Sequence, residues 1–322
     1  MDSITVLVIS SPHYPFLRFL DRLPQPVTVF TGNDLDFLKQ HAPEADVILN
    51  GFHDGSALAA ILPLAERVKW IHALSAGVEK VLSPELIACP TPLTNGRGVF
   101  GPALAEFAIA AMLYFAKDFR RLLRQQQAAR WEQFDVAFLR GQTLGVIGYG
   151  GIGREVARLA HALGMTVLAL RRRTPSDEND PVLERSFTRE QLNEMLSLSD
   201  YVLAATPLTS ETQGMLGPSE FHFMKDSAVF INVGRGAVAD EPSLISVLNQ
   251  RQIRGAALDV FEKEPLPADH PFYRMENVLL SPHCADHTVG WMELAVNQFI
   301  ENFERFRNGQ PLEFMVDKQA GY

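Results

Sequence analysis

Residues 145–175 read GVIGYGGIGREVARLAHALGMTVLALRRRTP, and this stretch decides the fold. A short apolar run leads into Gly148-x-Gly150-x-x-Gly153, and a helical pattern follows, from Arg154 to Leu163. A second apolar run, Thr166 to Leu170, completes a strand–helix–strand unit. In that context the glycines have separate tasks. Gly148 permits a tight turn, Gly150 lets backbone approach a pyrophosphate, and Gly153 lets helix and strand pack closely. The amides of Gly151 and Ile152 then stand at a helix N-terminus, where an anion is favoured. About twenty residues on, sites for NAD place an acid on the ribose hydroxyls. Here the chain has Arg171, Arg172 and Arg173 instead. An arginine at that place offers charge-assisted bonds to a 2′-phosphate, worth about 1.5–3 kcal/mol each. The reading is a site for NADP, with Arg171 first and Arg172 and Arg173 as helpers, NAD remaining possible.

Working outward, strand candidates follow at Tyr201–Ala205, Ala228–Val233, Gly255–Asp259 and Val278–Leu280, with a helical segment at Arg189–Leu196 among them. Six strands with crossover helices describe a doubly wound nucleotide-binding domain. Upstream, apolar runs at Thr5–Ser10, Val27–Phe30, Ala45–Asn50 and Trp70–Leu74 alternate with helical segments at Phe16–Leu23 and Ala57–Leu64, a second parallel α/β pattern. After the break GVFGP (Gly98–Pro102), one long helix is expected from Ala103 to about Arg130, and another from Asp286 to about Asn308.

The chain has 322 residues, beyond the size at which one core usually stops growing, so two domains are expected. Its net charge of −9 opposes nucleic-acid binding in general. Basic residues do cluster at Arg171–Arg173 and at Arg120, Arg121 and Arg124, enough for one phosphate. The two cysteines, Cys89 and Cys284, form no CxxC, and fit a reducing compartment without disulfides or a zinc site. The N-terminus has no basic n-region and no apolar run long enough to span a bilayer. The cytoplasm is the expected location, with no membrane partner.

Three polar anchors follow strand candidates: Arg235 in INVGRG, Asp259 with Glu262 and Glu264 in GAALDVFEKEPLP, and His283 in VLLSPHCADHT. In an open parallel sheet, ligands bind outside the carboxyl ends of strands, so Arg235, Glu264 and His283 can converge on the glycine loop's edge. Arginine grips a carboxylate with two parallel bonds. Histidine can protonate a developing alkoxide, and a carboxylate beside it favours its charged form. That set suits reversible reduction of a 2-oxo acid. Taken singly, each residue has a plainer reading as a cap, a solvated acid or a local ion pair.

These runs, together with HALSAGVEKVL and TNGRGVFGPALAEF, resemble the D-isomer-specific 2-hydroxyacid dehydrogenases over nearly the whole chain. The resemblance implies two Rossmann-like doubly wound parallel-sheet domains. A substrate domain would be formed by residues 1–101 and 286–322, with the dinucleotide-binding domain, 102–285, inserted into it. It implies that Arg235 binds substrate, that Glu264 pairs with the catalytic histidine, and that His283 is the acid/base. It implies that the amides of the Ser75-Ala76-Gly77-Val78 turn bind the substrate carboxylate. Thr206, Pro207, Thr212, Val233 and Asp259 fall where relatives contact the cofactor. It further implies a homodimer held by the long helix and its following arm, with Trp131 reaching a neighbouring subunit. Small substrates of the glyoxylate and hydroxypyruvate kind are expected, reduced to the D-2-hydroxy acid.

Two departures stand out. Phe107 occupies a position where relatives often carry histidine, and Asp286 and His287 follow His283, making His287 a rival acid/base. The alternative function is a non-catalytic dinucleotide-sensing regulator on the same fold. A pure sensor need not keep the complete Arg/Glu/His set.

Overall fold

The structure, a computed structural model, describes residues 3–51, 54–172 and 180–322. The chain divides into two compact units, one comprising residues up to Phe100 with Thr288–Tyr322, the other Gly101–His287.

In the first unit, β1 (Ile4–Ile9), β2 (Val27–Gly32), β3 (Val47–Asn50), β4 (Trp70–Ala73) and β5 (Leu93–Asn95) form one parallel sheet in the order β2-β1-β3-β4-β5. Strands covered on both faces need apolar side chains at successive positions rather than alternate ones. Val6 to Ile9 and Val47 to Leu49 meet that need and are buried. The connecting helices are α1 (Leu35–His41), α2 (Ser56–Ile61) and α3 (Pro84–Ala88). Asp34 caps α1 by accepting from the N–H groups of Asp36 and Phe37. The expected helix at Phe16–Leu23 is a 3₁₀ helix, Pro15–Arg22. A C-terminal helix, Trp291–Arg307, returns to this unit, and its Phe299 stacks on Trp70 at 5.2 Å. It starts later than expected. Gly290 takes a left-handed conformation (φ 85°) as its N-cap, so residues 286–290 form turns instead of a first helical turn.

In the second unit, α4 (Gly101–Ala116) is followed by α5 (Phe119–Gln127), not by one continuous helix. Between them Asp118 adopts φ 50° and caps α5 by accepting from the N–H of Arg121. Helical periodicity runs through this break. An aspartate that tolerates the left-handed region and can cap a new start ends one helix and opens another. Arg120, Arg121 and Arg124 are engaged locally, with the Met275 carbonyl, the Phe134 ring and Glu276 respectively.

The sheet of this unit contains β6 (Thr143–Ile147), β7 (Thr166–Leu170), β8 (Arg185–Phe187), β9 (Tyr201–Ala204), β10 (Val229–Asn232), β11 (Gly255–Leu258) and β12 (Val278–Leu280). All pairs are parallel, in the order β12-β11-β10-β9-β6-β7-β8. The helices are α6 (Gly151–Ala162), α7 (Leu192–Leu198), α8 (Pro218–Phe223) and α9 (Glu241–Asn249). The seventh strand, β8, is a three-residue edge strand, too short and polar to stand out as an apolar run. Strand order reverses between β6 and β9, and such a switch point is where open parallel sheets bind ligands. The core beneath it includes Ile147, Leu170, Val202, Phe230 and Leu258. The α/β reading with two doubly wound parallel sheets holds.

His72 on β4 is completely buried, and burial pushes its pKa down to about 3. Its Nδ1 lies 2.7 Å from the Thr94 hydroxyl, which accepts from Trp70 Nε1 at 2.8 Å. The ring is therefore neutral in the fold. Unfolding restores a pKa of 6.5, so below that pH the unfolded chain gains a proton that the folded one refuses. The resulting stability is complete above pH 6.5 and is lost as pH falls toward 3, at up to about 1.4 kcal/mol per pH unit. Imidazole NMR at pH 5 is expected to find His72 neutral. A His72 titration near 6.5 would contradict this assignment.

Candidate active site

The glycine turn joins β6 to α6. Gly148 has φ 95°, and a Cβ there would meet the backbone of Ala205 and Thr206 at 2.8 Å. A Cβ on Gly153 would meet the Gly148 carbonyl at 2.2 Å, so helix and turn touch where only glycine fits. Gly150 and Gly151 face the other way: nothing lies within 4 Å of a Cβ built on either. The turn thus presents an open cradle at the start of a helix, where first-turn N–H groups lack intrahelical partners. Gly150 is the N-cap and Gly151 begins α6, so Gly151 and Ile152 hold the first two helical positions. A pyrophosphate fits this arrangement in charge and donor set.

Thr206, Pro207 and Thr212 form a loop after β9. The Thr212 hydroxyl donates to the Pro207 carbonyl at 2.7 Å and accepts from the N–H of Thr209 at 2.8 Å. Val233 follows β10, is buried, and donates its N–H to the Ala204 carbonyl. These residues therefore share the carboxyl edge with the cradle. Phe107 lies on α4.

Arg235 stands one turn beyond β10. Asn232 shapes that turn, accepting from the N–H of Gly234 and donating its amide to the Arg235 carbonyl. A Cβ on Gly236 would meet the Phe261 carbonyl carbon at 1.9 Å, so the Arg235 turn lies directly against the loop carrying Glu264. In that loop the N–H of Phe261 donates to Glu264 Oε1 at 3.0 Å. The other oxygen, Oε2, is 2.8 Å from His283 Nδ1. A carboxylate only accepts, so Nδ1 carries the proton and Nε2 is the position left for substrate.

His283 itself has φ 51°, a costly backbone for a side chain of this size. Asp259 holds it there. The His283 N–H donates to the Asp259 carbonyl at 2.9 Å. Asp259 Oδ1 accepts from the Ser281 hydroxyl at 2.6 Å and from the N–H groups of Cys284 and Ala285 at 3.0 and 3.1 Å. Asp259 is thus a buried clamp on the histidine loop. The pKa of His283 is raised. The Glu264 hydrogen bond is the main cause. Partial burial opposes it, the charges of Glu264 and Asp259 add to it, and Arg235 again opposes. The rival His287 lies 3.7 Å from Asp286, whose carboxyl is pushed up by burial, while the Glu264 carboxylate serves His283.

The Ser75–Val78 turn belongs to the first unit, after β4. Its carbonyls are taken: Ser75 by the N–H of Gly96, Ala76 by the Asn95 amide, and Gly77 by the Ser75 hydroxyl. In a trans peptide the N–H opposes the preceding carbonyl. The N–H groups of Ala76, Gly77 and Val78 therefore point away from those partners.

Arg171 follows β7, and its guanidinium lies 5.2 Å from the Tyr149 ring. Arg172 is exposed, and Arg173 lies outside the described residues. The sequence reading missed Ser281 and Asn232, whose short polar side chains become informative only through their bonds. It also missed Tyr149 with its partner Asp180, joined by a 2.8 Å bond.

A family model for "D-isomer specific 2-hydroxyacid dehydrogenase, NAD binding domain" matches residues 109–285, more than half of the chain. The chain belongs to the D-isomer-specific 2-hydroxyacid dehydrogenase family, the NAD(P)-dependent D-2-hydroxyacid dehydrogenases. It is 32% identical over 319 residues to the glyoxylate reductase of Thermococcus gammatolerans, covering 89% of this chain and 93% of that one. A D-isomer-specific 2-hydroxyacid dehydrogenase from Xanthobacter autotrophicus, solved with NADPH and MES, superposes with a TM-score of 0.83 at 28% identity over 100% of both chains. The NADPH-dependent glyoxylate/hydroxypyruvate reductase of Sinorhizobium meliloti, solved with NADP and sulfate, gives 0.85 at 25% identity, again over 100% of both.

Glu264→Gln removes the charge that holds the His283 proton. In the ligand-free protein, NMR titration of His283 is expected to give a lower pKa in this variant than in the native chain. An unchanged value would mean that Glu264 does not set the charge of His283.

Proposed function

We propose that the protein is an NADPH-preferring reductase of a small 2-oxo acid, of the glyoxylate or hydroxypyruvate kind, yielding the D-2-hydroxy acid. The observation that carries this is the Glu264–His283 pair, at 2.8 Å, with Arg235 on the adjoining turn of the sheet edge that bears the glycine cradle. The nicotinamide cofactor, when bound, supplies a hydride to C2 of the substrate. His283, charged and held by Glu264, gives its Nε2 proton to the oxygen that becomes the hydroxyl. Arg235 grips the substrate carboxylate and polarises the carbonyl. We assign the N–H groups of Ala76, Gly77 and Val78, in the first unit, to substrate binding. Gly148, Gly150, Gly151, Ile152 and Gly153 receive the pyrophosphate. Thr206, Pro207, Thr212 and Val233 line the adjoining edge. Arg171, with Arg172 near it, receives the 2′-phosphate.

Support for the substrate class comes from the glyoxylate reductase name of the Thermococcus relative. Support for NADPH comes from the arginine after β7 and from the NADP(H) in both solved neighbours. We assign substrate binding to residues 1–101 with 286–322, and the dinucleotide to 102–285. A homodimer is the proposed assembly, because α5 and the arm after it expose Leu123, Phe138 and Trp131, the last at 94%. The two free cysteines fit a cytoplasmic setting. No described helix is long and apolar enough to cross a membrane.

Initial rates with NADPH and NADH against glyoxylate, hydroxypyruvate, pyruvate and bulkier 2-oxo acids test the reading, with the small acids and NADPH expected to be fastest. Tight dinucleotide binding with no turnover across the panel would favour a sensor. His283→Asn is expected to lower kcat by about 10²–10⁴-fold while sparing cofactor affinity; an active variant would remove His283 from the mechanism. Reduction needs His283 charged and oxidation needs it neutral. The reduction rate should therefore fall as pH rises through the raised pKa, and the oxidation rate should climb. Arg171→Asp is expected to swing affinity toward NADH by about ten- to a hundredfold.

A further inference from the structure

Tyr149 stands inside the glycine turn, between Gly148 and Gly150, and its surroundings are unusually charged. Two guanidinium groups lie against one ring, Arg154 at 5.1 Å and Arg171 at 5.2 Å. The Tyr149 hydroxyl donates to Asp180 Oδ2 at 2.8 Å, and Arg154 lies 3.9 Å from the same oxygen. The other oxygen of Asp180 accepts from the N–H of Val182 at 3.0 Å. The Asp180 side chain is mostly buried, with 15% exposed. Burial alone would disfavour its charge. The Val182 N–H, the Tyr149 hydroxyl, and the charges of Arg154 and Arg171 overcome that and hold its carboxyl below the usual carboxylate range. Asp180 is thus a fixed anion.

Its position is what matters. Arg171 closes β7, which pairs with β6 through Ile147 and Leu170, so the cluster sits where the adenosine half of a dinucleotide leaves the cradle. An acid does reach the glycine turn, from residue 180 instead of the place just after β7. A 2′-phosphate arriving at Arg171 meets this carboxylate as a like charge and competes with it for the same cations. A ribose with two free hydroxyls meets no such repulsion.

We propose that Asp180 is a cofactor-selectivity residue that restrains the preference for NADPH, by holding Arg154 and Arg171 around Tyr149 against the pull of a 2′-phosphate. The proposal rests on the reading that Arg171 receives that phosphate. Selectivity is then a balance: the arginines favour the phosphate, and Asp180, fixed by Tyr149, opposes it.

The test is equilibrium binding of NADPH and NADH, followed by cofactor fluorescence, to the native protein, Asp180→Asn, Tyr149→Phe, Arg171→Gln and the Asp180→Asn/Arg171→Gln double variant. Asp180→Asn keeps the shape and removes the charge. Its NADPH-over-NADH affinity ratio is expected to rise about three- to tenfold, the scale of one partly screened charge pair. The gain should grow at low ionic strength. Tyr149→Phe loosens the carboxylate and should shift the ratio the same way, by less. An Asp180→Asn ratio that is unchanged or lower overturns the proposal; weakened NADH binding would make Asp180 a ribose ligand instead. Failure of the underlying reading looks different. There Arg171→Gln leaves the ratio at its native value. In the double variant the Asp180→Asn gain is expected to vanish; a gain that persists without Arg171 overturns the proposed restraint on that arginine.

Discussion

Seven parallel strands end on one edge of the second unit, and everything chemical in that unit hangs from this constraint. A parallel ladder gives every strand the same direction, so the loops after β6, β9, β10, β11 and β12 emerge side by side. Cradle, arginine, carboxylate and histidine come from positions far apart in the chain, yet no special folding event is needed to collect them. The cost is that each loop must be stiffened separately, because the sheet stops where the loop starts. Buried polar side chains supply the stiffness. Asn232 shapes the Arg235 turn, the Phe261 N–H fixes Glu264, and Asp259 gathers three donors on one oxygen to hold His283 at a positive φ.

That last arrangement separates two kinds of carboxylate in one loop. Asp259 is 1% exposed and its Oδ1 is bonded to backbone and hydroxyl donors, so it fixes geometry. Glu264 is partly open and bonded to the imidazole, so it fixes protonation. Placing both beside one histidine raises its pKa even though burial and Arg235 act in the opposite direction.

Much of this was legible from residues alone, for a physical reason. Central parallel strands must be apolar throughout, so β6, β7, β9, β10, β11 and β12 appear as runs in the sequence. Glycine spacing betrays close approaches, and the contacts at Gly148 and Gly153 are the approaches those glycines permit. Edges and breaks were less legible. β8 is short and polar, and its pairing comes only from a neighbour. The helical pattern across Lys117 and Asp118 is unbroken, and the break depends on a cap contact with Arg121 that periodicity does not encode. The helix expected from Asp286 is present but starts only at Trp291, after the left-handed Gly290.

The site divides along the same line. The sequence by itself determined the chemical groups, their order, and the edge to which each belongs, because strand ends and glycine turns are local features. Only the tertiary structure decided which groups touch. Asp259 clamps the histidine loop, and Asp180 reaches Tyr149 from thirty-one residues away. The reason is that a side-chain contact depends on where two loops leave their strands and how they pack. The missing acid after β7 was a true feature of the local pattern, and the acid beside the glycine turn was a feature of the fold.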